Sequence, residues 1–301
     1  AVAANVGGMG TIIGTPPNAI AVGTLSGVVD INFIRWMGYG IPPALVLLTI
    51  LWGVLVARYL GRGAFRSSMS IKIDSGLQQE SSSLDLALVV ATFFVTVLMW
   101  MASPLHGIPT TVISFIPICV LTATGVLDAQ DVRAISWDVL LLIAGGLSLG
   151  VAISDTGLAS WFVDQFPLDD FGPSMVALAV SYVAILLSNL MSNTAAANII
   201  LPVMVAFLSR ENAQLVIPIA LSASAAMCLP ISTPPNAIVY GTGKLRSSDL
   251  LTTGLIAGVL TPPIVVGWTL IVDATDLLAA NLRSRPTRAL LRTPVRRRHR
   301  R

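Results

Sequence analysis

The sequence predicts an all-α membrane protein, an inverted repeat whose two halves each carry a discontinuous helix, one of them beside a re-entrant hairpin. Three observations predict it. Of 301 residues, 54% are hydrophobic and 11% charged, and the mean hydropathy is +0.82; soluble domains average about 25% charged residues. The charge-free window 171–209 holds 39 residues, which as one helix would reach about 58 Å, far beyond a hydrocarbon layer of ~30 Å. It must turn back. Finally, Thr15-Pro16-Pro17-Asn18-Ala19-Ile20-Ala21-Val22-Gly23-Thr24 matches Thr233-Pro234-Pro235-Asn236-Ala237-Ile238-Val239-Tyr240-Gly241-Thr242 at eight of ten positions, offset by 218, which is an internal duplication.

The formal charge of +3 hides an asymmetry: nine of the eighteen basic residues lie between Arg283 and Arg301, whereas all fifteen acids lie at or before Asp276. Residues 1–282 therefore carry nine basic against fifteen acidic groups, a net of −6. Cys119 and Cys228 both fall in apolar stretches and read as buried structural thiols, with neither a disulfide framework nor a metal-ligand spacing. The apolar, Gly-rich run from Ala1 has no basic n-region or cleavage pattern of a signal peptide. The expectation is that further chain precedes it.

Residues 1–60 read as the end of a first repeat, a broken helix followed by a span from Trp36 to Ala57. The loop 61–83 carries Arg62, Arg66 and Lys72 next to Arg58, which assigns it to the cytoplasm. A second repeat follows over 84–282. Its window from Leu86 to Leu127 has 42 residues, about 63 Å as helix, so it makes two spans divided at Pro104, His106, Gly107 and Pro109. His106 there reads as a turn residue. From Val139 to Ser154, Gly145, Gly146 and Gly150 indicate a helix that unwinds or packs closely, with an amphipathic continuation to Phe166. Then come the hairpin 173–209, the broken helix 212–243, the last span 250–272 and an Arg-rich tail 283–301. Pro42-Pro43 and Pro262-Pro263, offset by 220, read as openings of equivalent spans. Lys244 and Arg246 belong inside, and Asp155, Asp164, Asp169 and Asp170 outside. Five crossings then separate Asn18 from Asn236, which inverts the copies relative to each other.

The chemistry sits at the breaks. The run Ser188-Asn189-Leu190-Met191-Ser192-Asn193-Thr194 divides the hairpin into arms of roughly 15 to 17 residues, short for a full crossing. A tip at membrane depth is allowed where it lines a wet cavity or is buried in protein; two short spans joined by a surface turn are the plainer alternative. Pro234 and Pro235 remove two N–H donors and force a break, leaving carbonyls around Ser232 without helical partners, natural ligands for a dehydrated cation. The Ser-Asn-Thr tip supplies hydroxyl and amide oxygens for a cation, and helix-start N–H groups for an anion. No basic residue lies within any predicted span, so an oxyanion would be held without buried Arg. Such residues also merely tie membrane helices together, but a polar hairpin tip plus a duplicated broken helix is the architecture of secondary transporters. An enzyme would need paired carboxylates, a Ser/His or Cys/His pair, or metal ligands at midplane depth, and the spans contain none. At the same offset, a first-repeat partner of Ser192-Asn193-Thr194 would lie about 26 residues before Ala1, within an expected further ~150 residues.

At these residues the sequence resembles the divalent anion/sodium symporter family. The resemblance rests on Ser192-Asn193-Thr194-Ala195 followed by Ile199-Ile200-Leu201-Pro202, on Ser232-Thr233-Pro234-Pro235-Asn236-Ala237-Ile238, and on Gly7-Gly8-Met9-Gly10-Thr11-Ile12-Ile13-Gly14-Thr15-Pro16-Pro17-Asn18, and it extends to about Val272. It implies a plasma-membrane permease that carries di- or tricarboxylates or sulfate with sodium by an elevator motion, dimeric when full length. Ser192, Asn193, Thr194, Thr233, Pro234 and Thr15 would face the substrate. Ser188, Asn193 and the main chain at Ser232 would hold one sodium ion, and Gly14 would line the matching first-repeat half-site. The expected partners are thus a small anion, membrane lipid and a second copy, not nucleic acid. Sodium-independent anion exchange and a non-transporting membrane fragment or assembly subunit remain the alternatives.

Overall fold

A computed structural model of the chain describes residues 1–60, 83–135, 137–158, 161, 171–208, 210–230 and 232–284. The predicted loop from 61, the amphipathic continuation towards Phe166 and the arginines beyond 284 lie outside the described residues. In order, the helices are α1 (Val2–Gly8), α2 (Pro16–Leu25), α3 (Phe33–Leu55, extended by a π-helical turn at Val56–Leu60), α4 (Ser83–Met101), α5 (Ser103–His106), α6 (Thr110–Ile113), α7 (Phe115–Ala123), α8 (Ala129–Ala134), α9 (Trp137–Asp155), α10 (Pro173–Leu190), α11 (Asn193–Phe207), α12 (Val216–Ser224, entered through a 3-10 turn at Arg210–Leu215), α13 (Pro234–Gly241) and α14 (Ser247–Ser284). There is no strand among the described residues.

Among the described residues, four helices are long and apolar enough to cross a membrane: Phe33–Tyr59, Ser83–Met101, Pro173–Leu190 and Ser247–Thr275. The chain is an integral membrane protein. Its exterior fits that medium, since α4 leaves Leu86, Val90, Phe93, Phe94 and Leu98 exposed, an apolar surface that water would not tolerate at this extent. The interior is organised around α12, every residue of which is buried, as expected for a helix apolar all round. α2, α10, α11 and α14 pack against it.

The proline pairs correct one expectation. Pro42-Pro43 and Pro262-Pro263 do not open helices but lie inside α3 and α14. A proline leaves the carbonyl four residues before it without its helical donor, and in lipid that oxygen needs another. Gly38 O, orphaned by Pro42, accepts from Trp268 Nε1 at 2.8 Å. Val259 O, orphaned by Pro263, accepts from the Tyr182 hydroxyl at 3.0 Å. The Trp268–Gly38 bond joins α14 to α3, as do two more, for Tyr39 Oη donates to Asp273 at 2.9 Å and Tyr59 Oη to Asp249 at 2.6 Å. As residue numbers rise along one helix they fall along the other, so the two run antiparallel.

Three further differences have simple causes. α9 runs unbroken through its glycines, and of the two behaviours foreseen it shows close packing: a Cβ on Gly146 would overlap the Asn198 side chain of α11, whereas one on Gly145 would meet nothing within 4 Å. Cys119 is exposed on α7 rather than buried; Cys228 is buried. α14 continues past residue 272 to Ser284, because nothing in 273–284 is a helix breaker. The turn at 104–109 is built as read, with Gly107 left-handed (φ 69°) and His106 Nδ1 accepting from Ile108 N at 2.9 Å.

Candidate functional site

α10 ends at Leu190, Met191 is extended, and α11 starts at Asn193 with Ser192 as its cap. The break thus falls inside the polar run, where Ser192 Oγ accepts from Ala195 N at 3.1 Å. That bond uses one of the helix-start N–H groups foreseen as anion ligands. The second break, residues 225–233, separates α12 from α13; its Pro-Pro pair occupies the first turn of α13, where a missing N–H costs little. The first-repeat break, residues 9–15 between α1 and α2, is built alike: Thr15 and Thr233 precede their helices with near-identical extended backbones (φ −148°, ψ 149° and φ −144°, ψ 148°).

The hairpin and the second break are tied by Asn189. Its Oδ1 accepts from Cys228 N at 2.8 Å and from Ser232 Oγ at 3.2 Å, while its Nδ2 donates to Ile185 O at 2.9 Å. Ser232 Oγ in turn accepts from Leu229 N at 3.1 Å. The two breaks also meet each other. Asn18 Nδ2 donates to Gly8 O (2.9 Å) and Thr11 O (2.8 Å) within its own break. Asn236 Nδ2 does the same for Met227 O (2.9 Å) and Leu229 O (3.0 Å). Across the repeats, Asn5 Nδ2 donates to Asn236 Oδ1 at 3.0 Å, and Ser224 Oγ to Asn18 Oδ1 at 3.0 Å. Thr15 Oγ1 lies 2.7 Å from Ser224 Oγ. Since the Ser224 proton goes to Asn18, the Thr15 hydroxyl is the donor in that pair.

Among the nominated residues, Ser188 Oγ, Asn193 Oδ1 and Thr233 Oγ1 are buried and have no hydrogen-bond partner. Ser188 is 0% exposed and Thr233 5%. Buried polar atoms are rarely left so, and each costs about 1–3 kcal/mol until something meets it. Ser192 and Pro234 are exposed and Thr194 is half-buried. Gly14 is exposed too, and a Cβ there would overlap the Gly8 carbonyl oxygen, so only glycine lets the first break close on itself. Asn189, Asn5, Ser224 and the two motif asparagines were given no role from sequence, although the duplicated Asn was visible in the motif. A cleft of about 440 Å³ lined by Gly23, Thr24, Leu147, Val151 and Pro202 includes none of the nominated residues.

Every group in this cluster is uncharged. Among the described residues no set of three or more His, Cys, Asp or Glu could hold a metal. What the cluster offers is hydroxyl, amide and main-chain oxygen, the hard donor set of a weakly bound cation, together with hydroxyl and N–H donors for an oxyanion.

Comparison with known proteins shows the family. The family model described as citrate transporter matches residues 1–214. The chain is 30% identical over 295 residues to the sodium-dependent dicarboxylate transporter SdcS of Staphylococcus saprophyticus, covering 88% of this chain and 56% of that protein. It is 31% identical over 298 residues to SdcS of Staphylococcus aureus strain MW2, covering 88% and 56%. An uncharacterized transporter of Haemophilus influenzae is 30% identical over 276 residues, 85% of this chain and 58% of that one. The chain spans a little over half the length of these curated relatives.

Proposed function

The chain belongs to the citrate transporter family, a family of permeases and not of enzymes, and on that premise we propose that it is part of a sodium-coupled secondary transporter for small di- or tricarboxylates in the plasma membrane. One observation carries the reading. Among the buried oxygens without partners, which also include the hydroxyls of Ser181 in α10 and Ser222 in α12, those of Ser188, Asn193 and Thr233 lie together on the hairpin and the helix break that Asn189 joins. A folded site that leaves such atoms unmet is complete only with its ligands.

The donors divide by chemistry. The hydroxyl of Thr233 has a proton free to donate, so it serves the carboxylate. The first N–H groups of α11, at Asn193 and Thr194, add the positive end of a 15-residue helix. α13 adds little in this way, because Pro234 and Pro235 remove its first two N–H groups. Ser188 Oγ, Asn193 Oδ1 and the main chain at Ser232 supply lone pairs to sodium. Asn189 fixes the loop that presents Ser232, so the cation and anion sites share one wall. With no charged side chain in the cluster, each ion is screened mainly by the other, and binding one favours the other. That is the physical basis of symport.

The two halves are inverted relative to each other in this reading. The antiparallel packing of α3 on α14, the helices that carry the equivalent proline pairs, supports it, as does the reciprocal bonding of the two breaks. Alternating access then moves the hairpin and breaks together past a static scaffold, and the whole protein works as a homodimer.

The test is uptake of labelled succinate into proteoliposomes by the full-length protein that carries this segment, with and without a sodium gradient. Uptake that collapses when sodium is replaced by potassium supports the reading. Sodium-independent counterflow identifies an exchanger, and absence of both in a folded protein overturns transport.

A further inference from the structure

We propose that Asn18 and Asn236 are positioning residues that form, with Ser224 and Asn5, a reciprocal clasp binding the two helix breaks into one body, so that the half-site of each repeat depends on the other. The proposal rests on the transporter reading above.

A carboxamide has two N–H bonds and one oxygen. At both asparagines the two N–H bonds go to two carbonyls of the asparagine's own break, to Gly8 and Thr11 in one repeat and to Met227 and Leu229 in the other. Gly8 is the last residue of α1, so its carbonyl is one that a broken helix leaves over; Thr11 O and Leu229 O also accept from Gly14 N and Ser232 N, both at 3.1 Å, so the asparagine there braces a turn of the break. The oxygen accepts from the first half-helix of the opposite repeat: Ser224 of α12 donates to Asn18, and Asn5 of α1 donates to Asn236. All four residues are buried. No other side chain of this length does both jobs, since Asp lacks the donors and Ser or Thr has a single proton. The same residue at both copies of the motif is thereby explained.

The consequence is mechanical. Neither break can shift against the other without stretching a cross-repeat bond at Ser224, which meets both Asn18 and Thr15, or at Asn5, which meets Asn236, and neither node alone closes the ring. The clasp also reaches the proposed ligand groups directly. Ser224 holds the Thr15 hydroxyl at 2.7 Å, and Asn236 anchors the Leu229 carbonyl beside the Ser232 hydroxyl that accepts from Leu229 N.

The test uses the full-length protein in detergent, with sodium-dependent thermal stabilisation in the presence of succinate as readout. Asn5→Ala removes one cross-repeat bond and Ser224→Ala two, those to Asn18 and Thr15; both leave the own-break clamps intact, so both variants are expected to fold. Each should raise the sodium concentration of half-saturation about fivefold, the lower end of coupling between sites. The double variant should resemble the weaker single one, because opening the ring at one point already frees the breaks. Lower melting temperatures with unchanged half-saturation, or single effects that multiply in the double variant, would overturn the clasp while leaving the transporter reading standing. A folded wild-type protein that responds to neither sodium nor succinate overturns the reading itself.

Discussion

Replacing the two motif threonines by valine should give opposite results at equivalent positions. Thr233 Oγ1 is buried and has no partner, so in the ligand-free protein Thr233→Val removes an unmet polar atom and keeps the shape. Such a change is neutral or stabilising, by up to about 1–3 kcal/mol. The same hydroxyl is the one assigned to the carboxylate, and a hydrogen bond to a charged group contributes about 1.5–3 kcal/mol, so succinate affinity should fall roughly 10- to 150-fold. Thr15→Val instead breaks the 2.7 Å pair with Ser224 and should cost about 0.5–1.5 kcal/mol of stability, with affinity changed less than about fivefold. Thermal melting of the full-length protein without ligand, followed by calorimetric titration of succinate in saturating sodium, measures both quantities. If Thr233→Val melts lower than wild type, or if Thr15→Val loses as much affinity as Thr233→Val, the assignment of donors is wrong.

Ser188→Ala removes another unpartnered buried oxygen, so it should leave ligand-free melting unchanged or raised while weakening sodium half-saturation about tenfold, read by sodium titration of the melting temperature. Gly146→Ala drives a methyl into Asn198 and should destabilise by about 1–3 kcal/mol, whereas Gly145→Ala, with open space around it, should not; comparative melting decides. Asp128 caps α8, and the backbone N–H groups of Asp131 and Gln130 hold its carboxyl below the usual carboxylate range. A lowered value means the carboxylate form is favoured in the folded state. The cap therefore contributes fully above the unfolded value near pH 4 and is lost as pH falls through the folded one, which NMR titration of the Gln130 and Asp131 amides should show.

What could be read from the sequence was whatever carries its own local chemistry. The helix breaks carry local signals, because Pro-Pro after an extended Thr suits the first turn of a new helix and a Ser-Asn-Thr cap starts one, and α10 and α11 part inside the polar run for that reason. Ser188, Asn193 and Thr233 were nominated through the resemblance their motifs carry, and all three prove to be buried without partners. The parts that were not legible depend on distant partners. Whether Pro42-Pro43 opens or merely interrupts a helix depends on Trp268, 230 residues away, taking the orphaned Gly38 carbonyl. For Pro262-Pro263 the answer lies with Tyr182, 77 residues away. Asn189 gave no signal separable from its neighbours, since its importance comes from Cys228 N and Ser232 Oγ, which only the fold brings to it.

The difference between the two threonines can itself be traced to one position. At the offset of 218 that superposes the motifs, Ser224 corresponds to Val6 and Asn5 to Ala223. The cross-repeat donor therefore sits one place apart in the two copies and differs in length. A short serine, close to the break, reaches both Asn18 and Thr15. A longer asparagine, on the preceding residue, reaches Asn236, and no hydroxyl stands at the place from which Thr233 would be met. Divergence at this pair thus keeps the clasp in both halves and releases only one of two duplicated hydroxyls. On the proposed reading a dicarboxylate would be gripped unequally, with a protein hydroxyl donor from the second repeat at Thr233 and only lone pairs left over at Thr15. The first-repeat break is then suited to the cation side of the pair.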